Sequence, residues 1–220
     1  MVHNPPPRSL KEAIQSGSTI RMFKSNWMEK LSHVHPATPF VIYIPVVLVA
    51  LIFAFRQGDL SIAGVATSFA AGALIWTFAE YVIHRFVFHP PFSETYLKKM
   101  YFFVHGVHHD APDDATRLMM PPSASIPLAI LFYYIFQSTA GIYALPFFAG
   151  FVAAYMAYDF VHFATHFFNW KFAWFRKIKE NHMRHHYLTQ KFNFGLSSPL
   201  WDYVFLTIFK GKESLPQEKH

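Results

Sequence analysis

Residues 60–89 read LSIAGVATSFAAGALIWTFAEYVIHRFVFH. Leu60 to Ala79 is 20 residues without a charge, enough to cross a hydrocarbon core of about 30 Å at about 1.5 Å per residue. Glu80, His84 and His89 follow at once. An apolar helix of membrane length running straight into a histidine pair is the unit from which the rest of the chain is read.

Apolar stretches of this length recur. Pro36 to Phe55 is a further 20 residues without a charge, and Arg56-Gln57-Gly58-Asp59 reads as the turn between it and the first stretch. Leu118 to Tyr158 runs 41 residues uncharged, too long for one crossing, and Gln137-Ser138-Thr139-Ala140-Gly141 interrupts it near the middle. Four spans in two hairpins are expected, in an all-α integral membrane protein. Residues 1–35 form an N-terminal cytoplasmic or interfacial segment, and 36–220 the membrane domain.

Composition agrees. In 220 residues, 53% are hydrophobic, 19% aromatic and only 15% charged, a balance unlike that of a soluble domain. The absence of cysteine excludes disulfides, thiolate metal sites and thiol catalysis. Pro5-Pro6-Pro7 and a polar stretch precede any apolar run, so the N-terminus does not read as a signal peptide. Of 19 Lys and Arg, 5 precede the first span, 4 lie between the second and third, 9 follow the fourth, and only Arg56 falls on the opposite side. That asymmetry puts both termini and every histidine cluster on the cytoplasmic face. The formal charge of +6 then reads as orientation and contact with anionic headgroups. No basic helix or stacking platform stands apart from the membrane segments, which argues against a nucleic-acid partner. Residues 8–32 are expected to form an interfacial helix, with Ser9 and Glu12 as a capping box and Ile20, Phe23, Trp27 and Leu31 on one face.

Ten of the 14 histidines fall into four clusters: His84/His89, His105/His108/His109, His162/His166 and His182/His185/His186. Residues i, i+3 and i+4 share a helix face, so each triplet is expected to converge on one point, as is the His162/His166 pair. His84 and His89 are i+5, about 140° apart on a regular helix. Unwinding or a π-type turn must bring them together, and Pro90-Pro91 ends the helix near His89. Ten neutral imidazoles can hold two transition-metal ions with nitrogen alone, and imidazole suits Fe, Zn, Cu and Ni. Ligating histidines need a partner on the second ring nitrogen. Glu80, one turn before His84, and Asp159, three before His162, are the candidates to orient them, and Asp110 directly follows His109. His3, His33, His35 and His220 match no ligand spacing and read as surface residues. The chain also has a two-fold pattern of hairpin, pair and triplet, with 16 residues from His89 to His105 and from His166 to His182.

The boxes H-x4-H, H-x2-H-H, H-x3-H and H-x2-H-H resemble those of the membrane fatty acid hydroxylase superfamily, and most closely its fatty acid 2-hydroxylases. The resemblance rests on longer strings as well: Trp76 to His89, His105 to His109, Arg117 to Pro122, Tyr158 to His162, Phe194 to Ser198 and Trp201 to Phe205. It runs from about residue 20 to 210. It implies a four-span helical domain with a cytoplasmic helical cap holding a dinuclear metal site, with all ten clustered histidines as ligands. It also implies insertion of one atom of O2 at C2 of a long acyl chain, the second oxygen leaving as water. Iron is expected for that chemistry, although members of the family can hold zinc when purified, and zinc has no redox chemistry. Tyr158, Asp159 and Glu80 are the candidates around the metals, and Arg117, at the membrane edge, for a polar headgroup. The residues of Ser123 to Phe136 and Phe147 to Phe160 are candidates to wall the tail.

Two departures stand out. The N-terminal cytochrome b5 domain of eukaryotic relatives, with its His-Pro-Gly-Gly motif, has no counterpart here, so a separate electron donor such as cytochrome b5 or ferredoxin is expected. Where the family often reads Val-Phe-Gly-Thr, this chain has Val204-Phe205-Leu206-Thr207. The setting is the inner membrane if the source is bacterial and the endoplasmic reticulum if it is eukaryotic. Sterol, carotenoid or alkyl-lipid oxidation and desaturation share the box pattern and stay open. A metal-binding or metal-transporting membrane protein is a more distant reading, because transport sites lie at mid-membrane and these histidines sit at span ends.

Overall fold

A computed structural model describes residues 19–89 and 102–211. Among them the chain is helical, with no strand. The helices are α1 (Asn26–Ser32), α2 (Thr38–Gln57), α3 (Ile62–Val82), α4 (Val107–Asp110), α5 (Pro122–Ala140), α6 (Ala144–Phe167), α7 (Ala173–Tyr187) and α8 (Leu200–Val204). Two π-helical turns, Ile83–Phe88 and Phe102–Gly106, flank the 90–101 region. His3, His220, the Ser9–Glu12 capping box and Pro90-Pro91 lie outside the described residues.

Among the described residues, three segments are long and apolar enough to cross a membrane: Thr38–Gln57, Ile62–Phe88 and Pro122–Phe167. The expected turn at Arg56–Asp59 closes on Gly58 at φ 72°, a left-handed conformation that glycine adopts without a Cβ penalty. The third segment, 46 residues, is broken at Gly141, where φ 55° and ψ −127° end α5. A single 3-10 turn, Gly141–Tyr143, then starts α6 in a new direction.

Helix α6 is the axis of the bundle and packs against α2, α3 and α5. The contact with α3 is backbone on backbone. A Cβ at Gly72 would lie 1.9 Å from the Phe147 carbonyl oxygen, and one at Gly150 would lie 1.9 Å from that of Phe69. Small residues allow this approach where lipid offers no hydrophobic drive between helices. Around it, Trp76 meets Phe151 and Tyr155 edge to face, each at 5.1 Å, and Tyr155 meets Tyr43 at 5.4 Å. This close crossing brings the C-terminal ends of α3 and α6, with His84 and His162, to one end of the molecule.

The N-terminal segment corrects one expectation. Among the described residues the helix covers Asn26–Ser32 alone, and residues 19–25 are not helical. The cause is competition for their backbone groups. Glu29 Oε2 accepts the N–H groups of Met22 and Phe23 at 2.9 and 2.8 Å, and Arg117 donates to the Ile20 carbonyl at 3.0 Å. Ile20 and Phe23 therefore do not share a helix face with Trp27 and Leu31, which stand 65% and 66% exposed on α1.

Gly150→Ala forces α3 and α6 apart against rigid backbone. Overpacking of this kind costs about 1–3 kcal/mol or more. Thermal unfolding in detergent should show a clearly lower Tm than wild type, and an unchanged Tm would contradict the close crossing.

Candidate metal centre

The ten clustered histidines gather at the ends of α3 and α6 into two groups. His84, His89, His105, His109 and His185 form group one, and His108, His162, His166, His182 and His186 form group two. Within each, one ring nitrogen per residue lies within 4.8 Å of all the others.

Each histidine arrives by a local route. His84 and His89 face one point because Ile83–Phe88 is π-helical, with the His89 N–H bonded to the His84 carbonyl at 3.0 Å. The wider turn cancels the angular offset that a regular helix imposes on i+5. His105 leaves the second π turn and meets His109, with their Nε2 atoms 2.9 Å apart. His162 and His166 extend from the last turns of α6, and α7 supplies the second triplet.

The triplets do not converge as expected. Each is divided: His105 and His109 serve group one while His108 crosses to group two, and His182 and His186 serve group two while His185 crosses to group one. Adjacent helical residues point about 100° apart, so His108 and His109, or His185 and His186, cannot aim at one ion. The i, i+4 members stay together and the middle residue turns to the neighbouring group. The two-fold pattern of the sequence becomes two similar sites that exchange one ligand each.

The donor sets fit metal ions. In group one, His105 pairs with His109 and His89 with His185, all through Nε2 at 2.9 Å, which leaves His84 Nε2 without a partner. In group two, His108 pairs with His162 at 2.9 Å and His166 with His182 at 2.8 Å, which leaves both nitrogens of His186 without one. Pairwise N–H···N bonds can satisfy only an even number of imidazoles, whereas one cation accepts all five lone pairs. Two nitrogens at about 2.05 Å from an ion and at right angles would be about 2.9 Å apart, the spacing found. Neither group contains a carboxylate.

Outside the spans the imidazoles are held in their neutral, ligating form. Burial, then His185, pushes His89 down to about 3. Burial, then His185 and His89, pushes His109 to about 2. Burial lowers His185 to about 4 against its bond to the Phe192 carbonyl. His105, His108, His182 and His186 are lowered by burial and by neighbouring imidazoles.

The carboxylates expected to orient ligands do not bond to them. Glu80 Oε1 instead accepts the backbone N–H groups of Leu196 and Ser197 at 2.6 and 2.9 Å. The residues that hold the rings are backbone carbonyls in the same turn: His84 Nδ1 donates to Phe194 O at 2.6 Å and His185 Nδ1 to Phe192 O at 2.7 Å. Asp159 is buried, but its Oδ2 and His162 Nδ1 each lack a hydrogen-bond partner. Asp110 is exposed. Asp202, fully buried, was not singled out by any ligand spacing, although it sits in the quoted Trp201–Phe205 string. Its carboxylate accepts Phe194 N, Gly195 N and Thr207 Oγ1. Leu206, where glycine was the family's usual residue, adopts φ 56° and keeps the turn.

A cavity of about 390 Å³ opens beside the histidines. Met22, Phe23, Trp27, Leu31, Met119 and Tyr158 contribute to its walls, as do His105, His108 and His162. Arg117 and Asp159 also line it. Arg117 is not displayed to headgroups at a free edge: its side chain is 1% exposed, and it donates to Glu29 Oε1 at 2.6 Å, Ser32 Oγ at 2.5 Å and His33 Nε2 at 3.0 Å. His33 is accordingly a half-buried partner of Arg117 rather than a free surface residue, whereas His35 is exposed.

Residues 69–207 match the fatty acid hydroxylase family, and the chain belongs to that family. It is 41% identical to mouse fatty acid 2-hydroxylase over 161 residues, covering 69% of this chain and 40% of the relative. It is 34% identical to a dihydroceramide fatty acyl 2-hydroxylase of Arabidopsis thaliana over 190 residues, covering 86% and 79%. A structure of full-length Scs7p in which only the hydroxylase domain is visible superposes with a TM-score of 0.80 at 32% identity, covering 87% of this chain and 73% of that one. The chain thus spans about two fifths of the length of the mouse relative.

Two measurements test this arrangement. Metal analysis should find that His105→Ala combined with His109→Ala removes one ion per chain, while His108→Ala combined with His109→Ala removes both. Loss of the same number in the two pairs would contradict the divided triplets; His35→Ala is the control. The second concerns pH. A free imidazole titrates near about 6.5, above the folded values, so below that pH the unfolded chain binds more protons. Metal-stripped protein should therefore lose thermal stability as pH falls from about 6.5 toward 4, and flat melting temperatures across that range would refute the neutral, buried cluster.

Proposed function

We propose that this chain is an O2-dependent hydroxylase of long-chain fatty acyl lipids, acting at C2. The observation that carries the reading is the largely apolar cavity lined by histidines of both groups. The mammalian and plant relatives are named 2-hydroxylases, which supports C2 as the position.

All ten histidines act as ligands in this reading, five to each of two ions. Iron bound there supplies the redox chemistry that activates O2. The balance is one C2–H bond converted to C–OH and the second oxygen atom released as water, with two electrons and two protons from a separate donor such as cytochrome b5 or ferredoxin. The residues of this chain bind and orient. The walls formed by Met22, Phe23 and Met119 exclude water from the acyl chain. Tyr158 and Asp159 border the carbon to be oxidised, and Asp159 Oδ2, buried without a partner, is available to accept a hydrogen bond from the new hydroxyl. Arg117 enters by holding Glu29 and Ser32, and with them the wall of α1. A second cavity of about 30 Å³ shares Met120 with the first and reaches Phe132 and Phe151, the direction in which a longer tail extends.

The topology proposed is four spans in two hairpins, with both termini and a helical cap of α4, α7 and α8 on the cytoplasmic side. A 46-residue helix is about 69 Å long, more than twice a hydrocarbon core, and the break at Gly141 supports reading it as two spans. The one-sided Lys and Arg distribution supports the orientation. C2 lies beside the carboxyl carbon, so a site at the ends of the spans reaches it while the tail stays at membrane depth.

Expression in a host lacking 2-hydroxylation, under 18O2, followed by lipid hydrolysis and mass spectrometry, tests the reaction. Labelled 2-hydroxy acids should appear with wild type and be absent with His186→Ala. Label in a sterol, carotenoid or another carbon position would overturn the C2 assignment.

A further inference from the structure

The two histidine groups are held unequally. In group one, the Nδ1 atoms of His84 and His185 donate to the Phe194 and Phe192 carbonyls at 2.6 and 2.7 Å. In group two, the Nδ1 atoms of His108, His162 and His186 have no hydrogen-bond partner, although all are buried. The carbonyls that serve group one lie in a turn, residues 192–197, which is itself tied down. Asp202 accepts Phe194 N at 2.9 Å on Oδ1 and Gly195 N at 2.7 Å on Oδ2. Thr207 Oγ1 donates to the same Oδ1 at 2.7 Å and lies 3.0 Å from the Tyr81 hydroxyl. Glu80 takes the next two N–H groups of the turn. Asn193, at φ 59°, donates its own N–H to the Thr207 carbonyl at 2.9 Å. A Cβ at Gly195 would lie 2.3 Å from Ser198 O and 3.0 Å from Asp202 Oδ2, so the turn packs closely against both and admits no side chain there.

We infer that Asp202 is a positioning residue for group one alone: by clamping the 192–197 turn it aims His84 and His185, and it makes group one the tighter of two unequal metal sites. A donated Nδ1–H fixes the tautomer that leaves Nε2 as the lone-pair donor and raises its basicity. Group two gains neither advantage from the protein at three of its five rings. Loss of such an outer partner typically lowers metal affinity by about 10–100-fold, so the clamp and its absence should separate the two sites by a factor of that order.

The inference rests on the histidines being ligands. The test is competition between purified protein in detergent, loaded with Zn2+ as probe, and a chromophoric chelator. Wild type should release two equivalents in two resolved steps. His166→Ala should keep only the tight step and His109→Ala only the weak one. Asp202→Asn should weaken the tight step by about 10–100-fold and leave the weak step where it is. Thr207→Val, which removes one donor to the carboxylate, should move the tight step the same way by less, and Thr207→Ser, which restores a hydroxyl, should return it. If Asp202→Asn does not yield monodisperse protein, the Thr207 pair gives the same readout. Two ions released together from wild type, a tight step assigned to group two, or a Thr207→Val shift of both steps alike would overturn the inference. Failure to bind zinc at all would instead overturn the ligand reading beneath it.

Discussion

His108 and His185 each leave the cluster in which the chain carries them and complete the other group. Neither group reaches five nitrogens from its own half of the chain, so each depends on the relative placement of α4 and α7. That placement is inherited from the spans. Gly72 and Gly150 let α3 and α6 touch through their backbones, and this contact sets where His84 and His162 emerge. A displacement of α3 along α6 would separate the two groups at once, since both draw on both halves.

The polar chemistry around the centre is built mainly from backbone. Carbonyls of Phe192 and Phe194 orient rings, and buried carboxylates of Glu80 and Asp202 hold the turn that presents them. Carboxylates near imidazoles in sequence thus act one step further out than their spacing implies. An acid bonded to a ligating ring would add negative charge directly to the metal site. Routing the contact through a peptide carbonyl fixes the tautomer of His84 and His185 with a dipole instead, and leaves those rings as neutral donors.

The N-terminal segment shows a second consequence of buried charge. Arg117 and Glu29 satisfy each other, and they also take up backbone groups of Ile20, Met22 and Phe23. A charged pair with this little solvent must complete its hydrogen bonds with whatever is near, and here it does so at the expense of a longer α1. The outcome is an extended strap whose side chains wall the cavity, in place of an amphipathic rod lying on the surface.

Much of this was legible from composition and spacing. Uncharged runs of membrane length marked the helices, and glycines at 58 and 141 marked the breaks. The i+5 interval of His84 and His89 required either unwinding or a π-type turn, and the structure has the π-type turn. These are local properties: hydrophobic length and helical pitch act on neighbours in the chain and leave a periodic trace. Which histidines gather into one group was not local. The pitch forbids adjacent histidines a common target, but only the crossing of α6 with α3, and the seating of α7 against them, decides where the middle member of each triplet finds its partners. The same holds for Asp202, whose ties to the turn are made by tertiary closure, and for Arg117, whose burial depends on the strap folding over it. Periodicity determined the elements and the histidine clusters; the pairing of elements in space determined the two groups they form.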